Sequence, residues 1–456
     1  MARVAGVDSS TQSVKIVVRD SESGALLAEA SRPHPDGTEV DPQHWLDALY
    51  AVIAEIGGLE SLDAISIGGQ QHGMVLLDSE GEVIRPALLW NDTRSAAQAA
   101  AINAAFPDIV QRTGSQLVAS FTASKVRWVL ENEPENAARI AAIALPHDWL
   151  SWKLSGSTDI RDIFTDRSDA SGTGYFDPIN NIYIPEILEW VAGKKNMVLP
   201  RIVAPGEVGA RVGKTVIACG AGDNAGAALG IGAVVGDLII SLGTSGTAFA
   251  VSSSPSHDQS GEVAGFADAT GHFLPLACTL NAAKIFDATA KLLGVGFEEY
   301  SQLALQASPG ADGLMMAPHF DGERTPNRPD ALGAISGITH TNFTPANVAR
   351  ASIEGVIAGL AYAAEALRKE GVEISRLLLV GGAARNKAVQ QITSEIFGLP
   401  VHIPTPGEYV SEGAAIQAAW ALHQRRPQWS HNEMTLSHAE PEPTVLARYL
   451  AALGTL

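Results

Sequence analysis

The chain has 456 residues, room for two large domains, and apolar and charged fractions of 46% and 18% exclude a largely disordered protein. Fifty acidic residues against 31 basic ones leave a net charge of −19, a surface that repels nucleic-acid backbones and anionic lipid. Two cysteines, Cys219 and Cys278, are too few for a disulfide framework or a structural zinc site, so a reducing cytoplasm is the expected compartment. The opening Met1-Ala2-Arg3-Val4-Ala5-Gly6-Val7-Asp8 reaches a carboxylate too early for a secretory signal. The longest apolar run, 225–235, is too short to span a bilayer.

In chain order, 4–7, 13–18 and 25–30 are expected strands, the last after the turn Ser21-Glu22-Ser23-Gly24. A helix follows over 42–56, with Pro42 near its first turn and Gly57-Gly58 as its stop. A buried strand at 64–67 then runs into Gly68-Gly69. The second half repeats the opening. Strand 238–242 meets the small-residue turn Gly243-Thr244-Ser245-Gly246, and strand 247–251 returns. Helices are expected at 282–293, 345–369 and 386–397, with strand 376–380 between the last two. Each half therefore opens with a hairpin whose turn is rich in hydroxyls, a topological repeat divided near Gly236-Asp237. No long linker separates the halves, so close packing with hinging is expected. The stretch after Arg426 shows no period and is expected to be a surface extension.

Two motif matches are set aside. Gly209-Ala210-Arg211-Val212-Gly213-Lys214-Thr215 is one residue short of a phosphate-binding P-loop and leads into a strand-like segment rather than a helix. Gly220-Ala221-Gly222-Asp223-Asn224-Ala225 fits a dinucleotide fingerprint. However, Asp223 would repel a pyrophosphate, and no acidic partner lies about 20 positions on. A carboxylate at a helix start after a strand is better suited to a base whose charged form the helix dipole favours. Helix capping is the competing reading. The first hairpin turn offers Asp8, Ser9, Ser10 and Thr11: hydroxyls and amides for phosphate oxygens, and a carboxylate for hydrated magnesium. With Gly243, Thr244 and Ser245 in the second half, two such turns could clamp a polyphosphate. Gly381, Gly382, Ala383 and Asn386 end a third strand and suit a nucleoside. Gln71 and His72 follow the 64–67 strand and suit a polyol, where a structural histidine is the competing reading. Trp90, Asn91 and Asp92 could add stacking and hydroxyl contacts.

These segments together resemble the FGGY family of carbohydrate kinases. The likeness runs almost end to end: VDSSTQSVK at 7–15, GQQHG at 69–73, LLWNDTR at 88–94, LPHDWL at 145–150, SDASGT at 168–173, GAGDNAGAALGIG at 220–232, SLGTSG at 241–246, GERTP at 322–326 and VGGAARN at 380–386. The resemblance implies an α/β protein of two actin-like, ribonuclease-H-like domains with a ligand cleft between them. The sugar would bind in 1–236 and the nucleotide in 237–456. It implies ATP as co-substrate, Mg2+, a ketose as acceptor, a possible homodimer, and neither nucleic-acid nor membrane partners. The GQxHG and WND elements point to D-xylulose, giving D-xylulose 5-phosphate, before ribulose, gluconate or glycerol. Asp223 would be the catalytic base, with Gln71 and His72 on the sugar and Asp8 handling magnesium and phosphate. Thr244, Gly382 and Asn386 would lie near the nucleotide. A non-enzymatic actin-like switch is the rival of another class, and it has no need of a polyol site.

The family pattern is departed from twice. Where it carries Gly-Thr in the first loop, this chain has Ser10-Thr11, so the backbone at Ser10 must avoid positive φ or carry strain. Gln71 stands where a methionine is frequent and adds a polar contact.

Overall fold

The computed structural model describes residues 2–430, 433–436 and 440–455. The chain forms two compact units. The first holds Met1–Ala233, Gly265–Leu274 and Gly407–His431; the second holds Val234–Ala264, Pro275–Pro406 and Asn432–Leu456. The first unit thus takes back two stretches from beyond Gly236-Asp237. Among the described residues no helix is long and apolar enough to cross a membrane.

The first unit is built on strands β1 (Arg3–Ser9), β2 (Ser13–Asp20), β3 (Leu26–Pro33), β4 (Ala64–Gly69), β5 (Val208–Val212), β6 (Thr215–Ala218) and β7 (Ala221–Gly222). They pair in the order β5-β6-β4-β1-β2-β3, with β7 also on β4. β1, β2 and β3 form an antiparallel meander, and β4 lies parallel to β1. β1 is buried on both faces, as its apolar run requires. Helix Pro42–Glu55 starts where Asp41 accepts the amide of Gln43 and stops at Ile56 before Gly57, whose φ is 104°. The P-loop-like stretch is the tip of the antiparallel β5-β6 hairpin, Val212 opposite Thr215, and opens no helix.

Helix Tyr409–His423 packs against β1 and β4 of this unit. It approaches so closely that a Cβ at Gly6 would sit 1.8 Å from the Ser411 carbonyl oxygen, so only glycine fits there. Ser66 on β4 donates to Gln417 Oε1 on the helix at 3.1 Å.

The second unit repeats the hairpin with β8 (Asp237–Leu242) and β9 (Gly246–Ala250), then adds β10 (Phe273–Thr279), counted to this unit from Pro275 on, β11 (Arg376–Val380), β12 (Val401–Pro404) and β13 (Glu433–Leu436). The order is β10-β9-β8-β11-β12-β13, with β8, β11 and β12 parallel. The 25-residue helix Pro345–Lys369 buries Ile353, Val356, Ile357 and Leu360 in this unit's core. One expectation fails here. The stretch after Arg426 is not a bare surface extension: β13 pairs antiparallel with β12, and helix Pro443–Thr455 buries Val445, Tyr449, Ala452 and Leu453 against Met315 and Ala358. Its helical spacing was hidden by the Pro, His and Glu residues that precede it.

Candidate active site

Three strands of the first unit deliver the polar residues to one edge. Asp8 and Ser9 on β1 pair with Gly68 and Gly69 on β4, and Ala221 and Gly222 on β7 pair with the same two glycines. With strands ~4.8 Å apart, the backbones carrying Asp8 and Ala221 lie two spacings, roughly 10 Å, from each other. No side chain stands between them on β4.

Asp223 opens helix Asp223–Gly230, but the cap position belongs to Gly222 and no side chain caps the helix. The capping reading of Asp223 is therefore set aside. Its half-buried carboxylate accepts through Oδ1 from the amide and side-chain nitrogens of Asn224, at 2.7 and 2.9 Å. Burial pushes its pKa up to about 6 against the pull of those hydrogen bonds. Such a group is ionised at neutral pH yet basic enough to take a proton.

Asp8 is 8% exposed, and its Oδ1 is buried without a hydrogen-bond partner among the described residues. Burial and the neighbouring charge of Asp223 raise its pKa to about 7, partly offset by Lys15. An orphaned carboxylate oxygen that also feels the charge of Asp223 fits a bound cation, which would relieve both costs. Ser10 closes the hairpin, with its amide and hydroxyl both donating to the Ser13 carbonyl at 3.0 and 2.9 Å. It is absent from the residues at positive φ, so the loop without glycine is unstrained at that point. Ser9 is fully buried, and Thr11 Oγ1 accepts from the indole of Trp90 at 2.9 Å.

Strain sits instead at His72, whose φ is 68°. Its Nδ1 lies 2.7 Å from the Gly172 carbonyl oxygen, its own carbonyl accepts from Thr122 Oγ1, and its ring packs 4.9 Å from Phe121 and 5.6 Å from Phe266. Gln71 donates to the Ser168 carbonyl at 3.0 Å. Trp90 is 46% exposed, a face open for stacking. Asp92 is turned to the protein: its oxygens accept from Thr38 and from the backbone and Nε of Arg94. Burial alone would raise its pKa, and these bonds outweigh it and lower it. Asn91 keeps a buried Oδ1 without a partner among the described residues.

In the second unit, the exposed turn Gly243, Thr244 and Ser245 and the pair Gly381-Gly382 lie side by side at the ends of the parallel strands β8 and β11. Gly381 has φ 94°, and a Cβ there would meet the Leu242 carbonyl oxygen at 2.5 Å; at Gly382 the space is open. Ala383 is buried. Asn386 caps helix Lys387–Phe397, its Oδ1 accepting from the amides of Ala388 and Val389 and from Ser301 Oγ. Its Nδ2 is buried without a partner among the described residues.

Sequence reasoning passed over the residues that brace these groups. Ser168 and Gly172 hold Gln71 and His72, and a Cβ at Gly172 would lie 2.8 Å from the His72 ring. Both belong to the SDASGT segment, whose hydroxyls and glycine were the available signal.

Comparison with known proteins shows the family of the chain. The model for the N-terminal domain of the FGGY family of carbohydrate kinases matches residues 3–232, and the model for its C-terminal domain matches 238–422. A xylulose kinase of Streptomyces coelicolor is 43% identical over 437 residues, 92% of this chain and 88% of that protein. One from Escherichia coli is 32% identical, covering 91% and 88%. The crystal structure of xylulose kinase from Bifidobacterium adolescentis superposes with a TM-score of 0.94 at 43% identity and covers 99% of both chains.

Proposed function

The chain belongs to the FGGY family of carbohydrate kinases, and on that premise we propose that it transfers the γ-phosphoryl group of ATP to D-xylulose, giving D-xylulose 5-phosphate and ADP. Its two units have the actin-like fold of that family. The observation that carries the reading is the Asp223 carboxylate, lifted by burial to a pKa of about 6, on the strand edge that also presents Gln71 and His72. The first unit binds the sugar and the second the nucleotide.

Gln71 and His72 hold sugar hydroxyls, and Trp90 covers the carbon skeleton. Asp223 takes the proton of the attacking hydroxyl as the phosphoryl group moves in line. A positioned base contributes typically 10²–10⁴-fold, and positioning with electrostatic stabilisation supplies most of the rest. In the first unit the turn at Ser9, Ser10 and Thr11 is assigned to phosphate oxygens, the Ser10 hydroxyl leaving the Ser13 carbonyl to donate to them. In the second unit the turn at 243–245 is assigned to phosphate oxygens and Gly382 to the nucleoside, against open backbone. Asp8 would hold Mg2+, which when bound neutralises charge on the phosphates.

The test is coupled ADP release across D-xylulose, D-ribulose, gluconate and glycerol. The highest kcat/KM is expected on D-xylulose. A higher value on another acceptor refutes the substrate, and no ADP release on any of them refutes the kinase.

A further inference from the structure

Beneath the strand edge that carries Gln71 and Asp223, the first unit buries one histidine among three carboxylates. His147 lies in the first turn of helix Pro146–Ser155 and is 0% exposed. Its Nδ1 is 3.1 Å from Asp148 Oδ1, and its Nε2 is 3.3 Å from both Asp166 Oδ1 and Asp169 Oδ2. All three carboxylates are buried. Only the Nε2–Asp166 contact is a hydrogen bond, and among the described residues Nδ1 and the Asp169 oxygens have no hydrogen-bond partner. With Nε2–H given to Asp166, a neutral ring would turn its Nδ1 lone pair toward the Asp148 carboxylate, a repulsion the imidazolium avoids. Burial alone would strip the proton. The charges of Asp169 and Asp148 and the contact with Asp166 outweigh it and raise the pKa to about 10, while burial in turn raises those of Asp148 and Asp169, so the ring and these carboxyls titrate together and the ring is the group that keeps its proton.

The cluster is wired to the candidate active site. Asp166 Oδ2 accepts from the amide and hydroxyl of Ser168 at 2.7 and 2.6 Å. Ser168 Oγ in turn accepts the Gly222 amide at 3.0 Å, one residue before Asp223. The Ser168 carbonyl accepts from Gln71 Nε2 at 3.0 Å. The strand ends also rest on the histidine itself: a Cβ at Gly220 would lie 3.1 Å from its Cε1, and one at Gly69 3.3 Å from its Cβ.

We propose that His147 is a positioning residue for phosphoryl transfer: a buried cation that fixes Asp166, and through Asp166 and Ser168 fixes both the sugar-binding amide of Gln71 and the backbone next to Asp223. The proposal rests on the kinase reading above. His147 acts only through these neighbours and touches no reacting atom. Its placement also differs from that of an ordinary core histidine, which would have no line of hydrogen bonds to two functional residues at once. A divalent metal is the other occupant the cluster could take, since ligand atoms of His147, Asp148 and Asp169 lie within 4.8 Å of one another. It would need a ring nitrogen free of its proton.

The first measurement is nitrogen NMR of the histidine rings in the full-length wild type at pH 8. One ring, assigned by its loss in His147→Gln, is expected to carry protons on both nitrogens. A neutral or metal-bound ring overturns the proposal. The second follows the Gln71 side-chain amide in glutamine-labelled protein, assigned by Gln71→Ala. In His147→Gln this amide is expected to move to the position of a free glutamine. kcat on the ketose should fall about tenfold to a hundredfold, as for misplaced catalytic groups, with the KM for ATP unchanged. His147→Lys restores a cation and should recover most of the lost kcat. Ser168→Ala keeps the ring and the backbone bonds of residue 168 to Asp166 and Gln71 and removes only the hydroxyl link between Asp166 and the Gly222 amide, so it should reproduce the kcat loss without the Gln71 shift; it decides the branch toward Asp223 should His147→Gln not fold. A folded variant with an unmoved Gln71 amide and wild-type kcat overturns the proposal. Absence of turnover in the wild type would sink the kinase reading alone, because the ring and amide signals need no turnover.

Discussion

Replacing Asp223 by asparagine separates proton acceptance from structure. The carboxylate engages Asn224 through Oδ1, at 2.7 Å to the amide and 2.9 Å to the side chain, and an asparagine oxygen can accept both. The helix keeps its cap, which is Gly222. What disappears is the basic oxygen. With a pKa of about 6, the wild-type group is about 99% ionised at pH 8, so nearly every molecule carries the base. Its loss should lower kcat by at least about 10²-fold, which at 1.36 kcal/mol per decade is about 2.7 kcal/mol of transition-state stabilisation. Sugar affinity should change little. The wild-type kcat should also rise with pH through about 6 as Asp223 ionises, and the variant should lose that part of the rise and keep only what Asp8, raised to about 7, contributes. Coupled ADP release at pH 5 to 9, with calorimetry of sugar binding, measures both. A folded variant turning over within a few-fold of wild type refutes the base, and the raised pKa would then be a by-product of burial.

His72→Ala should weaken sugar binding 5- to 150-fold, the equivalent of ~1–3 kcal/mol for a buried polar group left unpaired, with ATP affinity unchanged; unaltered sugar calorimetry would make the strained histidine purely structural. Gly381→Ala forces a Cβ to 2.5 Å from the Leu242 carbonyl oxygen at φ 94°, and such strain costs of order 1–3 kcal/mol. A lower melting temperature and weaker ATP binding are expected, and a variant with wild-type values on both counts contradicts the geometry. For His147, a ring whose pKa is raised to about 10 gives its full stabilisation below the unfolded value of 6.5 and loses it as pH climbs through 10. The stability gap between wild type and His147→Gln in urea should therefore narrow from pH 7 to pH 10; a constant or widening gap would mean the ring is not a cation.

Local chemistry made much of the fold legible. Helix Pro345–Lys369 was expected and found with the same bounds, as was strand Arg376–Val380, because apolar period and a proline start act through near neighbours. The hydroxyl turns and the glycines at strand ends are local signals too, and the candidates Asp8, Gln71 and Asp223 rest on them. What tertiary structure alone decided is which of these residues share a place and in what state. Asp8 and Ala221 both flank Gly68 only because β4 lies between β1 and β7, a sheet order that no local pattern encodes. Asp92 reads from sequence like a free polar group, and once the chain folds its oxygens accept from Thr38 and Arg94. The cap of the helix at Asp223 fell to Gly222, and the left-handed turn fell to His72 rather than to Ser10. Helix Tyr409–His423 joins the first unit although it lies in the C-terminal part of the chain. His147 meets Asp166 and Asp169 across about twenty positions of sequence, and the state of its ring, like the raised pKa values of Asp8 and Asp223, comes from burial and neighbouring charge. Those quantities depend on everything packed around a group, so they exist only in the folded protein.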